Sequence, residues 1–330
     1  MYKVNRIIIV GGGSAAWLTA ALLSHSTKCE IIIVDKEEGK PIGVGEATLI
    51  PFQAFMKQAC GFKFEEWFNE IDATYKTGIL FPGWGKNKRT VWHPFPPFQQ
   101  AVLMAQPQER YTHQVTGYHV DASKLVKFIQ SKLLLKVIRS EVIELNTKGL
   151  LLKNKQQLQA DLFIDCTGFK SLLQKTPLTT LEDRLICDTA IAGHVQYDDI
   201  WKEKTPYVIS EAVECGWIWK IPLQSRIGTG IVFNRTITPV SQAKQIFLNY
   251  WKQRVGPTKV IDWTPYYKKE FWKDNVVRIG LSAGFIEPLE STGLALIMEG
   301  AHQLLLALNG AGVTPHDIAI YNAIIRSFFE

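Results

Sequence analysis

An α/β fold that opens on a parallel β-sheet is predicted by three features of this 330-residue chain. Residues Arg6–Val10 and Glu30–Asp35 are short runs of β-branched residues, which are typical of buried parallel strands. Residues 15–24 between them are rich in alanine and leucine and predict a helix. A glycine-rich turn joins the first strand to that helix, so the chain begins with a strand–helix–strand crossover.

The remaining elements follow from the same kinds of hydrophobic pattern. Helices are predicted at residues 51–60, 122–133, 241–255, 292–308 and 315–329. Strands are predicted at residues 141–145, 162–165, 185–194, 206–209, 217–221, 229–234 and 276–279. A prior of about 150 residues per domain allows two domains or one large one.

Composition argues against several classes of protein. The net charge is +6, but Lys and Arg are spread along the chain without a dense run, which favours a basic solvated surface over nucleic-acid binding. Five cysteines without CxxC spacing argue against a disulfide framework and a zinc site, so no metal is expected. The sequence has no apolar run long enough for a membrane span, and the run after the basic start is too short for a signal peptide. We therefore expect a cytoplasmic protein.

The turn after the first strand has the spacing of a dinucleotide-binding fingerprint. Its residues are Gly11, Gly12, Gly13, Ser14, Ala15 and Ala16. Gly11 permits the tight turn, Gly13 lets the backbone approach a pyrophosphate, and Ala16 allows close helix–strand packing. The diphosphate would lie at the helix N-terminus, and Asp35 ends the second strand where a ribose-binding acid is expected. A glycine turn alone is weak evidence, and this one does not separate FAD from NAD.

Two later segments favour FAD. Residues 160–168 and 275–280 each read as a strand followed by a turn, the first ending in Thr167-Gly168 and the second in Gly280. Either could be an ordinary strand and turn. Together and in this order they resemble the late motifs of the glutathione-reductase-like FAD fold.

Three further segments carry a resemblance to one family. They are residues 41–48 (PIGVGEAT), residues 216–222 (GWIWKIP) and residues 285–293 (FIEPLESTG). In that order they resemble the flavin loop, the WxWxIP signature and the glutamate segment of the flavin-dependent tryptophan halogenases. The resemblance runs from Arg6 to the end of the chain.

The resemblance implies a glutathione-reductase-type, Rossmann-like FAD-binding domain with an inserted mixed β-sheet substrate domain and C-terminal helices. The FAD-binding parts would be residues 1–50, 120–180 and 270–310, and the inserted parts residues 60–118 and 181–270. Relatives carry a helical region beyond the last residue of this chain. That region supplies aromatic residues that close the substrate pocket.

The resemblance also assigns residues to the flavin and halide. The flavin contacts would come from Gly43, Val44, Gly45, Glu46, Ala47, Gly280 and Leu289. Ser291 is expected to be the N-cap of the helix that follows. The backbone N–H groups of Thr292 and Gly293 would hold chloride or bromide, because the positive end of a helix attracts anions. A capped helix without a ligand is the alternative.

Lys76 and Glu290 are the catalytic residues that the resemblance implies. The amine of Lys76 would hydrogen-bond hypohalous acid or be halogenated by it, and Glu290 would accept the ring proton or polarise the hypohalous acid. Glu287 is expected to be structural. Without the motif, Lys76 would be read as a solvated surface lysine.

Aromatic residues would separate and line the two reaction sites. Trp217 and Trp219 share one face of a strand and would keep the organic substrate away from the flavin, with Ile221 and Pro222 beside them. The tunnel and indole contacts would also include Ser291 and the tripeptide His93, Pro94 and Phe95. Core packing is the alternative for both aromatic groups.

The implied reaction uses FADH2, O2 and chloride or bromide to halogenate tryptophan or another indole. A separate NAD(P)H-dependent flavin reductase would supply the FADH2. Two alternatives stay open, namely a flavin monooxygenase that hydroxylates its substrate and a truncated, catalytically silent flavin-binding protein. The sequence leaves the oligomeric state open, a homodimer included.

Overall fold

A computed structural model describes residues 2–36, 45–95 and 116–330 of the chain. The strands are β1 (Arg6–Val10), β2 (Glu30–Asp35), β3 (Glu46–Ala47), β4 (Thr74–Lys76), β5 (Gly78–Trp84), β6 (Arg89–Pro94), β7 (Gly117–Val120), β8 (Lys136–Arg139), β9 (Val142–Asn146), β10 (Gly149–Leu152), β11 (Gln157–Leu158), β12 (Leu162–Asp165), β13 (Leu178–Thr180), β14 (Thr189–Val195), β15 (Val208–Val213), β16 (Gly216–Pro222), β17 (Ile227–Phe233), β18 (Lys259–Asp262), β19 (Tyr266–Lys268), β20 (Trp272–Lys273), β21 (Val276–Arg278) and β22 (Gly284–Phe285).

The helical segments vary widely in length. The α-helices are Ser14–Ser26, Phe52–Ala54, Phe64–Trp67, Ala122–Lys132, Ile200–Glu203, Val240–Tyr250, Gly293–Leu308 and Pro315–Ser327. A π-helical segment covers Phe55–Ala59, and 3₁₀ turns cover Gly168–Lys170, Gly280–Ser282 and Pro288–Glu290. No helix within the described ranges is both long and apolar enough to cross a bilayer.

A six-stranded sheet in the order β20-β21-β12-β1-β2-β8 forms the first layer. Strands β1, β2, β8, β12 and β21 pair in parallel, and β20 joins antiparallel. Residues Ile7–Ile9 of β1 are fully buried, since the sheet is covered on both faces. Helices Ser14–Ser26, Ala122–Lys132 and Gly293–Leu308 cover one face, and the small sheet β9-β10-β11 covers the other.

A seven-stranded mixed sheet in the order β18-β14-β17-β16-β15-β5-β6 forms the second layer. One face packs on helix Val240–Tyr250 through Ile231, Phe233 and Phe247. The opposite face presents Trp217 and Trp219 to a separate apolar cluster. This division follows from the alternation of side chains along a strand.

A three-stranded antiparallel sheet, β3-β7-β4, brings distant segments together. Glu46 pairs with Val120, while Lys76 pairs with Gly117 across the other side of β7. Residues from the flavin-loop segment and the lysine segment therefore lie on the two strands that flank β7 in one small sheet.

Several predicted elements need corrected bounds. The predicted helix at residues 241–255 ends at Tyr250, because Lys252 and Gln253 take positive φ values of 49° and 64°. The predicted helix at residues 51–60 is divided into a short α-helical turn and the π-helical segment. The predicted strand at residues 185–194 begins only at Thr189.

Candidate active site

The glycine-rich turn has the geometry of a phosphate-binding loop. Gly11 has φ of +129°, and a Cβ there would lie 2.3 Å from the carbonyl oxygen of Cys166, so glycine is required where β1 and β12 end side by side. Gly13 precedes helix Ser14–Ser26 and provides no side-chain cap, and no atom of the described residues lies within 4 Å of its Cβ position. The first N–H groups of this helix therefore face open space, as a diphosphate requires.

Two other predicted cofactor segments converge on this turn. Gly280 has φ of +75°, and its Cβ position lies 2.8 Å from the Cβ of Ala15. The amide of Ile279 donates to the carbonyl oxygen of Asp165 at 3.1 Å. The ends of β1, β12 and β21 thus meet in one place. The residues present fit the diphosphate and ribose portions of FAD.

Asp165 holds the Thr-Gly turn in place, a role that sequence reasoning missed. Its buried carboxylate accepts hydrogen bonds from the amide and hydroxyl of Thr167 at 3.0 and 2.6 Å, and from the amide of Leu173 at 3.0 Å. The hydroxyl of Ser282 donates to the Asp165 carbonyl at 2.5 Å. One buried acid therefore connects the two predicted cofactor motifs.

Asp35, the predicted ribose-binding acid, lies over the glycine turn. A Cβ at Gly12 would be 2.0 Å from its Oδ2 atom. The same oxygen accepts from Nη1 of Arg139 at 2.7 Å. Burial raises the pKa of Asp35, and Arg139 opposes that rise. Arg139, on the neighbouring strand β8, had no signal in the sequence.

The flavin-loop segment is described only from Gly45 onward, so Gly43 and Val44 lie outside the described residues. Gly45 has φ of +76°, and its Cβ position is 3.4 Å from a methyl group of Ile221. The flavin loop therefore packs directly on β16. Burial, reinforced by the charge of Asp121, raises the pKa of Glu46 to about 7.

Trp217 and Trp219 form a buried pair on one face of β16. Their ring centroids are 6.2 Å apart, and their exposed fractions are 2% and 9%. A Cβ at Gly230 on β17 would come within 2.1 Å of the Trp219 ring, so glycine provides the space for this indole. The indole N–H of Trp217 donates to Oε1 of Glu287 at 2.5 Å. This bond ties the tryptophan pair to the segment that carries Glu290, and it supports a structural role for Glu287.

Lys76 is fully buried, and its Nζ atom has no hydrogen-bond partner among the residues that the structure describes. The Nζ atom lies 5.0 Å from the centroid of the Phe95 ring. Burial lowers the pKa of Lys76 to about 7, and the negative charge of Glu290 opposes that fall. The structure therefore brings Lys76 within electrostatic reach of Glu290, as the family resemblance implies.

Glu290 ends the 3₁₀ turn Pro288–Glu290 and is exposed. Ser291 follows with φ of +61° and is not the N-cap of the helix, which corrects the sequence-based expectation. Thr292 takes the cap position with φ of −77°. Ser291 cannot serve as the cap because its left-handed conformation reverses the chain between the 3₁₀ turn and the helix. No side-chain cap hydrogen bond forms there.

The N-terminus of helix Gly293–Leu308 is open in the same way as that of the first helix. Gly293 is exposed, and none of the described atoms lies within 4 Å of its Cβ position. A 16-residue helix with an uncapped N-terminus is suited to an anion such as halide. Leu289 packs against the tryptophan-pair cluster.

The tripeptide His93, Pro94 and Phe95 is divided between two environments. Phe95 is buried beside Lys76, and its Cε2 atom lies 3.0 Å from the Cβ position of Gly117. His93 is exposed, and Pro94 pairs with Gly78 at the edge of the large sheet. Of the three, only Phe95 contacts the lysine site within the described part of the chain.

Thr74 and His119 are fully buried polar residues that sequence reasoning missed. The hydroxyl of Thr74 lies 2.7 Å from Nδ1 of His119 and 2.5 Å from the carbonyl oxygen of Pro222. Only the strand pairing of β4 with β7 brings them beside Lys76, and nothing in the sequence indicates that pairing.

Comparison with known proteins places this chain in a family. The family model described as tryptophan halogenase matches residues 6–125 and 101–330. Tryptophan 6-halogenase ThaL of Streptomyces albogriseolus is 29% identical over 92% of this chain and 70% of its own length. The structure of tryptophan 6-halogenase SttH from Streptomyces toxytricini is 27% identical and superposes with a TM-score of 0.90 over 99% of this chain and 77% of that chain. Xcc4156, a flavin-dependent halogenase from Xanthomonas campestris, is 28% identical with a TM-score of 0.88 over 99% and 75%.

These matches confirm the mixed α/β fold and the family resemblance. The chain belongs to the tryptophan halogenase family and is an enzyme of the flavin-dependent halogenase type.

Proposed function

We propose that this enzyme uses FADH2, O2 and chloride or bromide to make hypohalous acid, and that Lys76 and Glu290 deliver the halogen to the ring of tryptophan or another indole. The observation that carries the proposal is a buried amine without a hydrogen-bond partner among the described residues, within electrostatic reach of a carboxylate. When bound, reduced flavin supplies the oxidising equivalent from O2. A separate NAD(P)H-dependent flavin reductase would provide the reduced flavin.

Lys76 is suited to hold a small polar oxidant. An ammonium at Nζ donates a hydrogen bond to the oxygen of hypohalous acid and polarises its oxygen–halogen bond. Because burial lowers the pKa of Lys76 to about 7, a neutral amine is also present at physiological pH. That amine displaces hydroxide from the halogen to give an N-haloamine, and its lost proton converts the hydroxide to water.

Glu290 is suited to the proton that leaves the ring. Transfer of an electrophilic halogen to an arene carbon requires loss of one ring proton, and a carboxylate beside the lysine accepts it. Glu290 is exposed, so its carboxylate is accessible to a proton that leaves the ring.

The tryptophan pair supports a separation of two sites. The pair packs with the flavin-loop residue Ala47 in one apolar cluster, which also contacts Leu289 of the glutamate turn. An apolar wall of this kind would exclude water and bulky substrate from the space beside the flavin segments. Phe95 provides an aromatic face next to the lysine, which suits an indole.

The test combines the chain with FAD, NADH, a flavin reductase, O2 and bromide over a panel of indoles. Monobrominated product, identified by its isotope pair, is the expected result. Lys76→Ala should abolish bromination and retain flavin binding, whereas Lys86→Ala should retain both because Lys86 is an exposed lysine of the β5–β6 hairpin. Glu290→Gln should reduce bromination by about 10²-fold or more.

Two outcomes would contradict the proposal. A product that gains one oxygen without halide would identify a flavin monooxygenase. Flavin binding without turnover of any indole in the panel would identify a catalytically silent flavoprotein.

A further inference from the structure

One face of the sheet β3-β7-β4 carries the lysine site. Thr74 lies opposite His119, and Lys76 lies opposite Gly117, so all four positions point to the same side of the sheet. Lys76 and His119 are therefore diagonal neighbours, at a separation of roughly 7–8 Å that a long side chain bridges. Gly117 has no side chain that would stand between them.

The hydrogen bonds of Thr74 fix the tautomer of His119. The Thr74 hydroxyl has one proton, and it donates that proton to the carbonyl oxygen of Pro222 at 2.5 Å. The contact of 2.7 Å between Thr74 Oγ1 and His119 Nδ1 therefore requires Nδ1 to be the donor. Consequently Nε2 of His119 carries no proton and presents a lone pair.

That lone pair and the Lys76 amine are complementary. His119 Nε2 is a fully buried acceptor and Lys76 Nζ is a fully buried donor, and neither has a hydrogen-bond partner among the residues that the structure describes. Burial and the positive charge of Lys76 keep the pKa of His119 well below its usual value. Near neutral pH His119 is therefore uncharged, and it does not repel the ammonium.

The two atoms are not bonded to each other in the structure. We propose that His119 is a positioning residue for Lys76, in that rotation of the Lys76 side chain brings its ammonium within hydrogen-bond distance of His119 Nε2 on the inner side of the site. The proposal rests on the role of Lys76 in halogen transfer. With one N–H directed inward to His119, the remaining N–H groups face Glu290 and the arriving halogen species. The series of hydrogen bonds from Pro222 through Thr74 and His119 to Lys76 then fixes the position of the reactive nitrogen relative to the backbone of β16.

The groups around Lys76 predict the direction in which its pKa changes when His119 is replaced. Glu290 acts on Lys76 from the 3₁₀ turn, His119 faces it from β7, and Phe95 presents its ring after β6. A neutral acceptor at Nε2 stabilises the charged form of Lys76 and so raises its pKa. Removal of that acceptor should lower the proton affinity of Lys76 about tenfold, the effect of one hydrogen bond to a charged group.

The test titrates the lysine side chains by NMR in protein labelled at lysine Cε, with Lys76 assigned by Lys76→Arg. His119→Asn keeps a polar group near the Nδ1 position but removes the acceptor at Nε2, and His119→Gln restores an acceptor near Nε2. We expect the proton affinity of Lys76 to fall about tenfold in His119→Asn and to recover in His119→Gln. Lys268, a second buried lysine whose lowered pKa is traced to burial and Arg278, is the internal control and should titrate alike in every variant.

A measurement on the unsubstituted protein covers the case in which a variant does not fold. The ¹⁵N shifts of the His119 ring should show a protonated Nδ1 and a bare Nε2 whose shift moves as Lys76 titrates. A proton on Nε2, or equal titration of Lys76 in wild type and His119→Asn, would overturn the proposal. Since these readouts need no turnover, they are independent of the halogenation assay, whose failure would count against the proposed function alone.

Discussion

Lys76→Met should stabilise the folded protein, although it should abolish halogen transfer. The substitution replaces a fully buried amine without a hydrogen-bond partner in the described residues by an apolar side chain of similar length. Burial lowers the pKa of Lys76 from 10.5 to about 7. At about 1.36 kcal/mol for each unit of pH, this corresponds to a cost of about 5 kcal/mol for the ionised form.

The pH dependence of the gain follows from the sign of this change. Between pH 7 and 10.5 the unfolded chain binds a proton at Lys76 that the folded protein has released. The wild-type free energy of unfolding therefore rises with pH in this range. The advantage of Lys76→Met should be fully present at pH 7 or below and should shrink as the pH approaches 10.5.

Measured replacements of buried ion pairs by apolar residues often give gains of roughly 1–4 kcal/mol. We therefore expect about 3 kcal/mol at pH 7, from urea unfolding of wild type and Lys76→Met at pH 7 and pH 9.5. Lys86→Met is the matched control, because it removes an exposed lysine. A variant no more stable than wild type, or a gain that is equal at the two pH values, would refute the reasoning.

Two further predictions test the walls of the site. Glu46→Gln should raise the melting temperature at pH 8 by roughly 2–4 °C and have no effect near pH 4. The pKa of Glu46 in the folded protein is about 7, above the ordinary 4.5, so wild-type stability falls as the pH rises from 4.5 to 7. Equal melting curves of wild type and Glu46→Gln at pH 8 would contradict this prediction. Gly230→Ala should destabilise by about 1–3 kcal/mol in urea unfolding, because its new methyl group would lie 2.1 Å from the Trp219 ring. The companion variant Gly293→Ala, whose methyl group meets no described atom within 4 Å, should leave stability unchanged, and a similar loss in both glycine variants would count against the packing argument.

The central parallel strands were predictable because they are buried on both faces. The bounds of β1, β2 and β12 agree with the sequence prediction, since each strand contains a continuous apolar run whose ends are marked by charged residues or glycine. Strands β4 and β7 were not predicted. They are three and four residues long and mix Thr, Lys and His with aromatic residues, so neither has a hydrophobic pattern that marks a strand.

The residues of the candidate site also differ in whether local sequence predicts them. The glycine turns could be predicted, since Gly11 and Gly280 are imposed by local backbone geometry. The proximity of Lys76 and Glu290 followed only from family resemblance, because their separation in sequence hides it. Ser291 was misjudged as a cap, since a Ser-Thr-Gly sequence before an apolar helix permits either residue at the boundary.

Strand β16 is hydrogen-bonded both to the segment that carries Glu290 and to the segment that carries Lys76. At one end, the indole of Trp217 bonds to Glu287, which precedes the turn that carries Glu290. At the other end, the Pro222 carbonyl accepts from Thr74, two residues before Lys76. The strand that forms the apolar wall thus also fixes the segments of the acid and the amine. A shift in β16 would move both reactive groups together and preserve their mutual geometry, whereas the loss of either end bond would move one group relative to the other.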